Sequence, residues 1–328
     1  MSSGMILLAE SKADAVHMTR YAVTGGAGFI GSNIVGNLVE RGQEVIVIDD
    51  LSSGHMVNLE PYPEVTVNNA SILDEDALDS AFDGVDTVFH LAASVGNKRS
   101  IDNPALDSKI NVIGTINVLE ACRRAGVRKI VTSSSAGIFG ELHQIPISED
   151  HPVEPDSPYG VSKLAAEKLC LAYAKLYDIE AIALRYFNVF GPNQRFDAYG
   201  NVIPIFVFQM LGGEPITIFG DGEQTRDFIS VVDVVQANIK ASETKCLSGA
   251  FNIASGTRIT INDLVERLSE LVPGHHKVSY GPERPGDVRD SLADIAAARN
   301  AFGFEPSVTM ADGLTDYVRW AMDEANRV

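Results

Sequence analysis

The sequence predicts an α/β fold, a doubly wound parallel sheet with a smaller α/β lobe attached to it. Two patterns carry this reading. Short apolar runs at 21–23, 44–49, 65–67, 87–90, 129–132 and 181–184 are separated by helix-length segments up to about residue 188. Beyond Gly191 the alternation breaks up, and Pro192, Pro204, Pro215, Gly212-Gly213 and Gly220-Asp221-Gly222 mark loops. The expected organisation is a disordered tail over 1–18, a first lobe carrying the parallel (Rossmann) sheet over 19–190, and a second lobe over 191–328. Segments near 226–235 and 249–255 are expected to return to the first lobe and its sheet.

Composition limits the function classes. With 328 residues, 45% of them apolar, the chain can bury a sizeable core. No apolar run reaches the roughly 20 residues of a membrane span. The short stretch Met5-Ile6-Leu7-Leu8-Ala9 lacks a basic leader, so no secretory signal is expected. A net charge of −18 argues against nucleic acid and against acidic membrane surfaces. Cys122, Cys170 and Cys246 are scattered, with neither a disulfide framework nor a zinc pattern, which suits a cytoplasmic protein without a metal. His275-His276 matches no metal spacing either.

The first strand runs into Thr24-Gly25-Gly26-Ala27-Gly28-Phe29-Ile30-Gly31. Glycines there allow a tight turn and close backbone approach to a pyrophosphate, while the helix that opens near Gly28 offers free amide N–H groups to that charge. The second strand ends in Asp49, close to the roughly 20 residues expected between such a turn and an acid that binds the adenosine ribose. The same carboxylate repels a 2′-phosphate, and no arginine comes after it, so NAD is expected rather than NADP. His90, at the end of a strand, reads as a packing residue and not as a ligand.

A second motif has a mechanism in its spacing. Ser157-Pro158 reads as an N-cap followed by proline at the first helical position, so Tyr159 and Lys163 fall one turn apart on one helix face. An ammonium beside the phenol is expected to lower the tyrosine pKa, making Tyr159 a usable base. The strand at 130–132 delivers Ser133-Ser134-Ser135 to the carboxyl edge of the sheet, and Ser135 is the hydroxyl expected beside Tyr159.

Together with His90-Leu91-Ala92-Ala93, Asn111, the run 184–191, Gly220-Asp221-Gly222 and Arg284-Pro285-Gly286-Asp287, these residues resemble the extended short-chain dehydrogenase/reductases. Over 18–320 the likeness is specifically to the NAD-dependent nucleotide-sugar 4-epimerase branch, which acts on UDP-hexoses. The resemblance implies NAD contacts at Gly25, Gly28, Phe29, Ile30, Gly31, Asp49, Asp50, Ser53, Leu91, Ala92, Ala93, Asn111, Ser133, Tyr159, Lys163 and Tyr186. It implies a catalytic set of Tyr159, Lys163 and Ser135. For a UDP-sugar it implies Asn188 at the sugar–diphosphate linkage, Asn201 and Val202 at the nucleotide, Arg226 and Arg284 at the diphosphate, and Asp287 with Phe228 at the uridine ribose. Ser291 would lie against the C2 substituent, small enough to admit an N-acetyl group. Its other reading is the N-cap of a helix beginning near Leu292.

Reaction type is implied by the two residues after the serine run. Dehydratases of the same superfamily carry an acid–base pair there, whereas this chain has Ala136 and Gly137, which transfer no proton. Reversible oxidation at C4 through a 4-keto sugar is therefore expected, on UDP-glucose/galactose and on UDP-GlcNAc/GalNAc. UDP-glucuronate 4-epimerisation, net dehydrogenation and a non-enzymatic NAD-binding regulator are the competing readings. One departure from the family concerns the adenine: the usual aspartate in a Gly-Asp-Ile context aligns with Asn68-Asn69-Ala70-Ser71-Ile72. Ala70 cannot accept that bond, so Ser71 or a water would serve. In proteins this chain resembles, the helices corresponding to 104–124 and 158–177 pair two copies across a two-fold axis, which implies a homodimer; Ala121, Leu164, Leu171 and Ala174 recur there at helical spacing, a pattern the core alone would also give.

Overall fold

The computed structural model describes residues 19–197, 200–283 and 288–327. Seven strands form one sheet: β1 (Arg20–Thr24), β2 (Glu44–Asp49), β3 (Thr66–Asn69), β4 (Thr87–His90), β5 (Lys129–Ser135), β6 (Glu180–Tyr186) and β7 (Gly249–Ile253). Their order is β7-β6-β5-β4-β1-β2-β3, and every pairing is parallel. Parallel strands need helical crossovers, so both faces are covered and the strands read as apolar runs.

Strand parity divides the core. Val23, Val45 and Val47 pack with Ile34, Val35 and Leu38 of α1 (Phe29–Glu40). Ala22, Ile46 and Ile48 face the other way, against Leu78 and Phe82 of α2 (Glu75–Phe82), Val118 and Cys122 of α3 (Thr115–Ala125) and Cys170 of α4 (Pro158–Leu176). A third apolar core fills the second lobe. It joins Phe206 and Val207 of α5 (Val202–Leu211), Leu264 and Leu268 of α7 (Ile261–Leu271) and Leu314 and Tyr317 of α8 (Met310–Ala325).

One expected return to the sheet takes a different form. Ile229–Ser230 pairs with Val189–Phe190 in a separate two-stranded sheet, and Thr225–Arg226 pairs with Ile259–Thr260. The 226–235 segment meets the first lobe through a helix instead, α6 (Val231–Glu243), whose Val234, Val235 and Ala237 join the core on the α1 side. Its apolar run was too short to distinguish the start of a helix from a strand. The strand order reverses between β1 and β4, where ligands of such sheets bind at the carboxyl edge.

Candidate active site

The glycine turn and Asp49 come together at that edge. Gly25 lies at φ +72, and a Cβ on it would sit 2.7 Å from the Ala92 amide nitrogen, so only glycine lets the turn pass under the 91–93 segment. Leu91 N donates to Thr24 O at 3.0 Å and Ala92 N to Thr24 Oγ1 at 3.3 Å, which locks that segment to the turn. Helix α1 opens on Gly28 with no side-chain cap and no acid in its first turn. Its first N–H groups are left for an anion. At the end of β2, Asp49 is buried, and its two oxygens accept from Ala27 N and Leu51 N at 2.9 Å each. Burial raises its pKa somewhat against those two donors. Asp50 and Ser53 are exposed beside it. An uncapped helix terminus next to a fixed carboxylate suits a pyrophosphate and a ribose, so the residues present fit NAD. Ala70 N donates to Asp49 O at 3.2 Å, placing the end of β3 against the same corner.

The tyrosine motif folds as its sequence predicts. Ser157 caps α4 by accepting from Gly160 N at 3.1 Å, with Pro158 in the first turn, and Tyr159 and Lys163 come next, one turn apart. Strand alternation explains the three serines. Ser133 and Ser135 face the Tyr159–Lys163 pair: Lys163 Nζ donates to Ser133 Oγ at 3.1 Å, and Ser135, whose Oγ accepts from Gly137 N at 3.1 Å, is near enough to Tyr159 to lower its pKa. Ser134, on the other side of the strand, meets the same helix one turn further on and donates to Glu167 Oε2 at 2.7 Å. Glu167 is itself clasped by Arg185 at 2.8 and 3.0 Å, both side chains being buried.

Here the structure corrects the expected electrostatics. Burial raises the Tyr159 pKa, the Ser135 hydrogen bond pulls it back, and Asp107 adds to the rise. Lys163 is buried too, which pushes it down to about 8, and its ammonium is engaged by Ser133. The protein's own groups therefore do not by themselves bring Tyr159 into the neutral range.

Two residues expected at the cofactor make their polar contacts within the protein. Asn111 is buried and spends its amide inside the protein: Oδ1 accepts from Ser94 N at 2.7 Å, and Nδ2 donates to Ser94 O, Ser162 Oγ and Asp107 Oδ1. It braces the loop after β4 against α4. The Tyr186 hydroxyl is turned into α6, where it is hydrogen-bonded to Asn238. His90 is a packing residue with a fixed tautomer. Thr115 donates to Asn111 O, so His90 Nε2 donates to Thr115 Oγ1 at 3.0 Å and Nδ1 accepts from Thr24 at 2.7 Å. Burial lowers its pKa to about 3, leaving it neutral.

The second lobe supplies the far wall. Asn188 Nδ2 donates to Asp227 O at 2.9 Å, and Asn201, at the N-terminus of α5, donates to Val189 O at 3.3 Å. Val202 packs on the second-lobe core. Arg226 Nη1 donates to Thr225 O. Phe228 is buried edge-on against Phe190. Arg284 and Asp287 lie outside the described residues. Ser291 is buried at 8% exposure and caps no helix, because the nearest one, Ala296–Phe302, has Ile295 as its N-cap. Asp227, which sequence reasoning did not single out, anchors the segment that carries Arg226 and Phe228. Its carboxylate accepts from Ser255 N, Ser255 Oγ, Gly256 N and Ala293 N, tying the 226–228 segment to the ends of β7 and of the Ser291 segment.

A family model for NAD-dependent epimerases/dehydratases matches residues 21–254. The chain belongs to the NAD-dependent epimerase/dehydratase family. It is 37% identical over 308 residues to the UDP-glucose 4-epimerase of Mycolicibacterium smegmatis, covering 92% of this chain and 98% of that one. It is similar to the crystal structure of Thermotoga maritima UDP-glucose 4-epimerase with UDP-glucose, at a TM-score of 0.89 and 39% identity over 94% of this chain and 100% of that one. The UDP-N-acetylglucosamine 4-epimerase of Methanobrevibacter ruminantium M1, in complex with UDP-N-acetylmuramic acid, gives 0.90 and 37% over 94% and 99%. Membership makes this chain an NAD-dependent enzyme, and among the described residues no helix is long and apolar enough to cross a membrane.

Proposed function

We propose that the protein reversibly inverts C4 of a UDP-hexose through a 4-keto intermediate. One observation carries the reading: Tyr159, beside Ser135 and one turn from Lys163, stands at the carboxyl edge, while the flanking Ala136 and Gly137 offer no second acid or base. The family likeness and the UDP-sugar 4-epimerases it resembles support it. Bound NAD supplies the hydride acceptor, and its oxidised nicotinamide adds a positive charge that favours the phenolate. Tyr159 takes the C4 hydroxyl proton as the hydride leaves C4. Ser135 donates a hydrogen bond to the same oxygen. Lys163 holds the nicotinamide ribose, the first turn of α1 the pyrophosphate and Asp49 the adenosine ribose. The keto sugar would turn about its diphosphate and regain the hydride on its other face as Tyr159 returns the proton to the C4 oxygen, with Asn188, Arg226, Arg284 and Asp287 keeping the UDP end in place.

Ser291 gives the C2 side of the sugar a small wall, which supports turnover of both plain and N-acetylated hexoses. The three cysteines are free thiols, in keeping with a cytoplasmic location. For assembly, Ala121, Leu164 and Ala174 belong to the monomer's own core. A different set supports a homodimer: Leu106, Ile113, Val161 and Leu176 are exposed around α3 and α4, Leu176 at 71%. Incubation with a panel of UDP-hexoses, read by NMR at C4, tests the proposal. Formation of the C4 epimer is expected, and no epimer from any of them would reject it.

A further inference from the structure

Behind Tyr159 and Lys163 lies a carboxylate that the proposed chemistry does not touch. Asp107, in the short helix Pro104–Ser108, is 1% exposed. Ser162 Oγ, itself 2.5 Å from Asp107 Oδ2, donates to it. Asn111 Nδ2 donates to Asp107 Oδ1 at 3.3 Å and to Ser162 Oγ at 3.0 Å, so three buried side chains close a triangle. Ser162 sits between Tyr159 and Lys163 on α4, which couples the triangle to the helix turn that carries both.

Other charges near that turn are already matched. From α4, Glu167 is clasped by Arg185, and Cys170 is a thiol whose pKa burial pushes up to about 12. From β4, His90 is neutral. On the side of the short helix, Lys98 pairs with Asp102 and Arg99 with Asp197, and Lys109 is exposed. Asp107 forms no ion pair among the described residues. A buried carboxylate that keeps two hydrogen-bond donors and no cation projects its field onto its neighbours, and low dielectric strengthens it.

We propose that Asp107 is a positioning residue of the reaction, a fixed negative charge that holds Lys163 as an ammonium and resists ionisation of Tyr159. The Ser162 hydrogen bond ties Asp107 to the turn that carries both groups, and its charge acts in the same direction on each. Lys163, driven down to about 8 by burial, is held up by Cys170, Asp107 and Glu167. Tyr159, raised by burial and relieved by Ser135, is raised further by Asp107. Removing this one charge moves both ionisations toward lower pH together, which a purely structural residue would not do. The inference rests on the reading of Tyr159 and Lys163 as the proton-transfer pair, and Tyr159→Phe tests that reading separately.

The test is the pH profile of kcat/KM for the NAD-loaded Asp107→Asn and Asp107→Leu enzymes. Asparagine keeps an acceptor for Ser162. With leucine, Ser162 still has Tyr159 O as an acceptor at 3.0 Å, so between them the two variants keep the question answerable. Both limbs are expected to move to lower pH by about one unit. Asp107→Glu, which retains the charge, should restore the wild-type limbs. Profiles that superimpose on the wild type, or a lower kcat with unmoved limbs, would overturn the proposal while leaving the epimerase reading intact.

Discussion

Tyr159 carries the heaviest expectation of any single residue, because it is the group placed to exchange a proton with the C4 oxygen. Tyr159→Phe keeps the ring and removes the acid–base function, so kcat should fall about 100- to 10,000-fold with little change in KM. Steady-state kinetics showing near-normal turnover would remove Tyr159 from the mechanism. Lys163 makes a second prediction. Its pKa is pushed down by burial to about 8, so the ammonium is lost as pH rises through that value, and kcat/KM should decline above about pH 8. A flat profile up to pH 10 would show that the ammonium is not needed. Ser291 makes a third. Filling its small buried site with Ser291→Tyr should abolish UDP-GlcNAc epimerisation while UDP-glucose turnover survives, since overpacking penalises only the larger ligand. Comparable loss for both sugars, or for neither, would take Ser291 out of the C2 pocket. At this scale the sequence was legible where a residue type and a spacing share one mechanism, as for Asp49, Ser135, Tyr159 and Lys163. It does not show where Asn111 and Tyr186 place their polar atoms, which meet partners 4 to 52 positions away in the chain.

Elements place those residues. Helix α4 has its cap and its proline where the motif puts them, and β5 presents alternate serines to opposite faces, so both were predictable from local chemistry. Phe228 and the 226–235 segment were not. A two-residue strand followed by a helix has too little periodicity to show which way it turns, and tertiary packing against Phe190 decides it. Asp227 holds that junction. Its carboxylate receives three backbone N–H groups and a serine hydroxyl, from segments 28 to 66 residues distant. Asp227→Ala leaves those donors unpaired in a buried place and should cost about 3 kcal/mol or more in stability. Denaturant titration gives that number directly. A midpoint within error of wild type would show that the junction is held by packing alone.

On the whole molecule, the sheet class and the binding edge follow from strand-length runs and one glycine turn, whereas the assembly surface could not be read from helical spacing. Buried and exposed apolar residues recur at helical spacing on and just before α3 and on α4, and only the folded structure separates buried Ala121 from exposed Ile113 and Val161. Burying the exposed set against a second copy predicts a dimer of twice 35.3 kDa at micromolar concentration. Light scattering that returned the monomer mass would reject that assembly. The central claim is that oxidation and reduction at C4 occur in one site without release of the reduced cofactor. UDP-galactose labelled with deuterium at C4 tests it most directly. The predicted product is UDP-glucose that retains the label at C4, with no build-up of free NADH. Loss of the deuterium to solvent, or its appearance in released NADH, would contradict it.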